Sequence, residues 1–260
     1  WKRIADFLFG SVRLVVEKPD ELRTCKQGIL AAAPHGVISF NHAAFMTDIC
    51  RWHADAIWPV DRRELVASVV LRIPLYRELL LAFGSVDASA KTARKVLASG
   101  RSLFVYPGGE AEQMRARPGE HIAYWQSRKG FVKLALEFGI PLIPSYAFGE
   151  NELYSPIPLL LSLRMRLCTA CHVAIPIAFG RWWCPLLPRR VPLFVVVGAP
   201  LPVTKIQPDD PAFEGAVDKV HADFMAELSA LFDRHKAAAG EPNAKLHIIG
   251  SGAGGRLKKS

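Results

Sequence analysis

Residues 128–154, RKGFVKLALEFGIPLIPSYAFGENELY, constrain the fold more than any other stretch of this sequence. Apolar residues recur at helical spacing through 128–138, Gly139 stops the helix, and the apolar run 141–147 reads as a buried strand. The strand gives way to a polar loop crowded with Glu150, Asn151 and Glu152. Two upstream segments repeat the plan. Residues 28–33, GILAAA, run into Pro34, His35 and Gly36, and residues 102–107, SLFVYP, run into Gly108, Gly109, Glu110, Ala111 and Glu112. Helical patterns at 75–83, 91–99 and 128–138 alternate with these strands, which predicts an α/β sandwich with a largely parallel mixed sheet flanked by helices. Ligands of open α/β sheets sit outside the carboxyl ends of strands, so the three strand ends define one candidate site.

Elsewhere the pattern is less regular. In residues 1–17, Ile4, Phe7, Leu8 and Val12 fall at helical spacing beside Lys2 and Arg3, which predicts an amphipathic helix lying on a membrane interface or packed on the domain. Residues 1–24 are accordingly read as a membrane-proximal segment, 25–240 as the main domain and 241–260 as a flexible basic tail. Further expectations are a helix beginning near Val37 or Ser39, a strand at 65–70, a strand in PLFVVVG (192–198), and a long helix over 213–236. Between residues 155 and 202, prolines interrupt apolar runs that form either a wall for lipid entry or ordinary core.

Composition narrows the partners. With 33 basic and 24 acidic residues the chain carries +9, and half of it is hydrophobic. That balance suits an anionic lipid surface or a polyanionic cosubstrate. No basic run interleaved with aromatics resembles a nucleic-acid module, so nucleic acid is excluded as a partner. No 18-residue charge-free apolar run is present. Cysteines 25, 50, 168, 171 and 184 are odd in number and irregular in spacing, which argues against a disulfide framework. Cys168, Cys171 and His172 match a haem-attachment spacing, but the rest of the chain is unlike a cytochrome, and with Cys184 they make an incomplete zinc set. No metal or resident cofactor is expected. Nor is there a G-x-S-x-G nucleophile elbow. His42, His53, His121, His221 and His235 lack evident partners and read as structural.

His35 alone would be read as a capping or core residue; the other two strand-end motifs favour a general base. An imidazole is half neutral near pH 6.5 and can accept a proton at physiological pH. Gly108 and Gly109 permit unusual backbone angles and close ligand approach, and their amides are candidates to hold an oxyanion, at about 3–4 kcal/mol per donor.

Pro34-His35-Gly36, YPGGEAE (106–112), RKGFVKLAL (128–136), FGENELY (148–154) and LFDRHK (231–236) resemble the type-2 diacylglycerol acyltransferase family, across most of residues 25–240. That family includes monoacylglycerol and wax-alcohol acyltransferases and lies within the wider glycerolipid acyltransferases. The resemblance implies a glycerolipid-acyltransferase-like sandwich and acyl-CoA-dependent O-acylation of diacylglycerol or another hydrophobic alcohol. It further implies a site on the cytosolic face of the endoplasmic reticulum or on lipid droplets. His35 takes the place of the catalytic base and Glu112 that of the acid orienting it. Arg128 and Lys129 are candidates for the coenzyme A phosphates. Pro34, Gly36, Glu150, Asn151 and Glu152 are expected to brace the histidine loop or meet the acceptor. Ala33 stands where many members carry a first histidine, and Phe40 where the wider relatives carry an Asp partner. A hydrolase using the same histidine on water, or a non-catalytic lipid-surface protein, are the alternatives. The acceptor alcohol, acyl length and oligomeric state are not set by the sequence.

Overall fold

The computed structural model describes residues 7–46, 61–171 and 174–250. In chain order the elements are β1 (Val12–Val16), α1 (Pro19–Thr24), β2 (Ile29–Ala33), α2 (Phe40–Met46), β3 (Arg62–Val66), α3 (Tyr76–Ala82) and β4 (Ser85–Asp87). Then come α4 (Ala90–Ala98), β5 (Ser102–Val105), α5 (Gly109–Arg115), β6 (Ile122–Ala123), α6 (Gly130–Phe138) and β7 (Leu142–Phe148). The chain continues through β8 (Ser155–Pro156), α7 (Leu161–Cys171), β9 (Ala178–Phe179), β10 (Leu193–Val197), α8 (Phe213–His235) and β11 (His247–Ile248).

Seven strands form the main sheet in the order β1-β10-β7-β2-β5-β3-β4. Strands β7, β2, β5, β3 and β4 are mutually parallel, while β10 pairs antiparallel with β7 and parallel with β1. The result is the expected mixed, largely parallel sheet. Alternate residues of each strand feed opposite faces. Ile29, Ala31 and Ala33 pack under the layer of α4, α6 and α8, while Leu30 and Ala32 join Leu22 of α1 and Phe45 of α2 on the other face. A strand covered on both sides reads as a continuous apolar run, and all five residues of β2 are buried. After β5 the chain crosses over β2 to place β7 on its far side, so β2 lies at the point where the strand order reverses.

Several expectations need correction. Val12–Val16, read as part of an amphipathic helix, is an edge strand registered on Leu193–Val197. Its run of valines and leucine is β-branched enough to favour a pleated surface once a partner is present. The sheet therefore begins upstream of residue 25. The segment after 240 is not free of structure either: His247–Ile248 pairs with Ile122–Ala123, a long-range contact that no local pattern announces. Residues 109–115, read as loop, form α5, where Glu110 and Glu112 complement the helix dipole in its first turn. Between 155 and 202, neither wall nor core fits every segment: Arg164 and Cys168 are buried, while several leucines and both tryptophans are exposed. Residues 1–6, Cys50, His53, His172 and 251–260 lie outside the described residues.

Candidate active site

The carboxyl ends of β2, β5 and β7 emerge side by side, because these strands are parallel neighbours with β2 in the middle. His35 stands two residues past β2, after a cis Ala33–Pro34 peptide. Its loop is held from both flanks by a buried carboxylate.

On the β5 side, Glu112 accepts the His35 backbone N–H at 2.7 Å through Oε2. Through Oε1 it accepts the Tyr124 N–H at 3.1 Å and the Trp125 indole N–H at 2.7 Å. Glu112 was expected to orient the imidazole. Instead it grips the main chain of the histidine, because its oxygens face three fixed N–H donors. On the β7 side, Glu150 accepts the N–H of Phe40 and of Asn41, each at 2.8 Å. These are amides of the first turn of α2, which have no carbonyl partner within their own helix. Both carboxylates sit against glycine. Gly36 has φ +66°, and a Cβ there would lie 2.8 Å from Glu150 Oε1; a Cβ at Gly108 would overlap the Glu112 carboxyl group. Gly108, read as a ligand-approach position, and Gly36, read as bracing the loop or meeting the acceptor, thus make room for the protein's own acids.

The imidazole takes its orientation from elsewhere. His35 Nδ1 lies 3.1 Å from the Gly36 carbonyl oxygen. A carbonyl only accepts, so Nδ1 carries the proton and Nε2 keeps its lone pair. The Tyr106 ring meets the imidazole edge-on, with centroids 5.1 Å apart. Burial is the main cause that lowers the His35 pKa to about 4; the hydrogen bond to Gly36 opposes this and the nearby His42 adds to it. Burial likewise pushes Glu112 up to about 7 and Glu150 up to about 8, against the pull of the N–H groups they accept.

The other expected residues separate. Gly109 N–H donates to the Tyr106 carbonyl at 3.1 Å and closes the turn, so it is already engaged. Gly108 N–H has no partner among the described residues and is the amide of the pair left for an oxyanion. Asn151 Nδ2 binds the Glu120 carbonyl at 2.8 Å and the Glu152 carboxylate accepts the Gly119 N–H, so both brace a turn beside the site. Lys129 Nζ is 2.6 Å from Asp218 on α8, whereas Arg128 is exposed on the side whose charge reaches Glu112. Arg128 is thus open to solvent, while Lys129 is engaged on α8.

His42, read as partnerless, belongs to this neighbourhood. Its ring stacks on Phe104 with centroids 5.3 Å apart, meets Tyr106 edge-on and contacts the buried Glu64 carboxylate, which lies 3.5 Å from Arg62. The spacing of His35 and His42, one strand-to-helix turn apart, was the available signal. Three other histidines read as structural also have partners: His121 contacts Tyr146 and Glu241, His221 the Trp125 carbonyl, and His235 Glu17. Among the described residues no group of three or more His, Cys, Asp or Glu is arranged to hold a metal ion.

Fold and site together define an α/β domain that presents a neutral histidine where its strand order reverses. A family model described as diacylglycerol acyltransferase matches residues 1–249. Diacylglycerol O-acyltransferase 2A of Umbelopsis ramanniana is 31% identical over 250 residues, covering 91% of this chain and 68% of the relative. Human diacylglycerol O-acyltransferase 2-like protein 6 is 32% identical, with 94% and 75% covered, and bovine 2-acylglycerol O-acyltransferase 1 is 35% identical, with 85% and 67% covered. The chain belongs to the type-2 diacylglycerol acyltransferase family. Membership carries an acyltransferase-type activity in lipid metabolism at the level of the family. A lysophosphatidate acyltransferase, PlsC, from Thermotoga maritima aligns over 88% of this chain and 77% of that one, with a TM-score of 0.49 and 15% identity, too slight a likeness to argue from.

Proposed function

We propose that this protein is an acyl-CoA-dependent O-acyltransferase that esterifies diacylglycerol, or a related neutral lipid alcohol, with His35 as general base. The observation that carries this reading is the free Nε2 lone pair of His35, left available because Nδ1 donates to the Gly36 carbonyl. In the proposed reaction the acceptor hydroxyl gives its proton to Nε2 as its oxygen attacks the thioester carbon. The tetrahedral oxyanion is met by backbone amide, with Gly108 as the candidate donor. Its collapse breaks the C–S bond, and the leaving coenzyme A sulfur takes the proton back from the imidazolium. Atoms and charge balance without a covalent enzyme intermediate. Arg128 is the candidate for the cosubstrate's phosphates. Such a reaction joins two water-insoluble partners, so much of its acceleration comes from holding them together. The setting proposed is the cytosolic face of the endoplasmic reticulum or a lipid droplet.

Labelled acyl-CoA supplied with diacylglycerol in vesicles tests the reading directly. Labelled triacylglycerol is the expected product; labelled free acid alone would replace the transferase by a hydrolase.

The lowered pKa of His35 makes a second expectation. The active form is the unprotonated one, so activity is lost as pH falls, and the loss is centred near the folded pKa of about 4 rather than 6.5. The profile of kcat/KM for acyl transfer is therefore expected to stay level down to about pH 5. An acid limb centred at pH 6.5 would contradict the buried, neutral base.

A further inference from the structure

The segment between the polar loop after β7 and the start of α8 has an unusual charge pattern. Residues 153–208 contain six cationic residues and no Asp or Glu, against a net +9 for the whole chain. The same segment carries a group of exposed tryptophans and leucines. Trp182 is 85% exposed, Leu186 84%, Leu160 63% and Trp183 55%, with Leu159 and Leu163 also open to solvent. Single exposed leucines need no explanation, but a monomer rarely displays many large apolar groups together.

These groups flank a short antiparallel two-stranded ribbon. Ser155 and Pro156 at the entry to α7 pair with Phe179 and Ala178, and Ile157 N–H donates to the Ile177 carbonyl at 2.8 Å. Gly180 N–H donates to the Pro185 carbonyl and Arg181 N–H to the Leu187 carbonyl, which throws Trp182 and Trp183 onto the tip of a tight turn. Leu159, Leu160 and Leu163 follow one end of this ribbon, and Trp182, Trp183 and Leu186 follow the other, where Arg181 lies over the exposed Phe7 ring. Arg166, on α7 with Leu163, and Arg190, near Gly10, are also exposed.

The face is tied to the candidate site. Tyr154 stacks on Phe40, at the start of α2, with centroids 6.0 Å apart, and its hydroxyl donates to the Leu186 carbonyl at 2.7 Å. Cys168 of α7 lies 3.9 Å from Glu110 of the glycine turn.

We infer that this face is a membrane-docking surface, resting on a bilayer that contains anionic phospholipid. Tryptophan rings favour the boundary between headgroup and acyl chain, leucines the acyl region below it, and arginines the anionic headgroups. A segment without carboxylates adds no repulsion there. No described helix is long and apolar enough to cross a membrane. The inference stands on the surface itself; it rests on the proposed acyl transfer only in adding that a lipid acceptor reaches His35 from the leaflet on which the protein sits.

The test is flotation of the full chain with extruded vesicles, without acyl-CoA, so the outcome does not depend on turnover. The probes are phosphatidylcholine vesicles with and without about 30 mol % phosphatidylserine. The triple variant Trp182→Ser/Trp183→Ser/Leu186→Ser is expected to bind at least tenfold more weakly with an unchanged melting midpoint, because all three side chains point into solvent. Arg166→Gln/Arg190→Gln is expected to remove much of the gain due to phosphatidylserine. Leu75→Ser/Leu79→Ser, on the exposed apolar surface at the start of α3, is expected to bind as the parent does. Wild-type protein that ignores vesicles, a triple variant that binds unchanged, or an equal loss in the α3 variant would each overturn the assignment. So would a dimer in light scattering that the triple variant dissociates, since a second copy would then cover the face. Vesicle binding without ester formation would leave the surface standing and remove the transferase reading.

Discussion

His35→Ala is expected to lower acyl transfer to diacylglycerol by about 10²–10⁴-fold, the range that loss of a positioned general base produces. The fold should survive the change. Glu112 holds residue 35 through its main-chain N–H, so alanine keeps that bond and loses the contact of Nδ1 with the Gly36 carbonyl and the ring contact with Tyr106. His35→Gln makes a stricter comparison: the side-chain amide supplies donors and a carbonyl of similar reach but no nitrogen able to accept a proton. Both variants are expected to melt within a few degrees of the parent while losing ester formation together. Turnover within a few-fold of wild type in either would remove His35 from the chemistry.

Glu112→Ala is expected to be the most damaging single change to stability, at about 4 kcal/mol or more. It would orphan three buried donors, the N–H groups of His35 and Tyr124 and the Trp125 indole, each at about 1–3 kcal/mol. At this chain length that corresponds to a melting midpoint lower by roughly 10 °C. Glu150→Ala orphans two amides and is expected to cost less. The glutamines test the charge separately from the shape. Carboxyl groups raised to about 7 and 8 in the folded state, against an ordinary 4.5, hold protons that the unfolded chain releases. Over that interval the folded state binds more protons, so stability falls as pH rises from about 4.5 and levels off above 8. His35, lowered to about 4, has the opposite sign on the acid side: its contribution is lost as pH falls from 6.5 through 4. Glu112→Gln and Glu150→Gln are therefore expected to flatten the decline of melting midpoint between about pH 5 and 8. A decline of unchanged slope in both would show that other groups cause it.

The parallel core was legible because strands covered on both faces are apolar throughout and end on glycine, proline and charge. β2, β5 and β7 and their three polar ends all announce themselves this way. Edge elements were not. Val12–Val16 has the apolar content of either a helix or a strand, and only its partner Leu193–Val197 decides between them. The pairing of His247–Ile248 with Ile122–Ala123 joins residues more than a hundred apart. At the site, residue types outran residue roles. That acids at 112 and 150 matter is written in the motifs, yet which atoms they bind depends on main-chain amides that carry no letter in the sequence. The same limit hid His42, whose partners Phe104, Tyr106 and Glu64 come from two other strands.

The pairing of β11 has a practical corollary. Gln126 N–H donates to the Ile249 carbonyl and Ile249 N–H to the Ala123 carbonyl, so the end of the described chain clamps both sides of Trp125, whose indole reaches Glu112. Trimming the polypeptide at 240 to tidy its terminus for crystallisation would loosen the tryptophan shelf beneath the histidine loop. Expression designs should keep every residue through 249 and attach tags only beyond it.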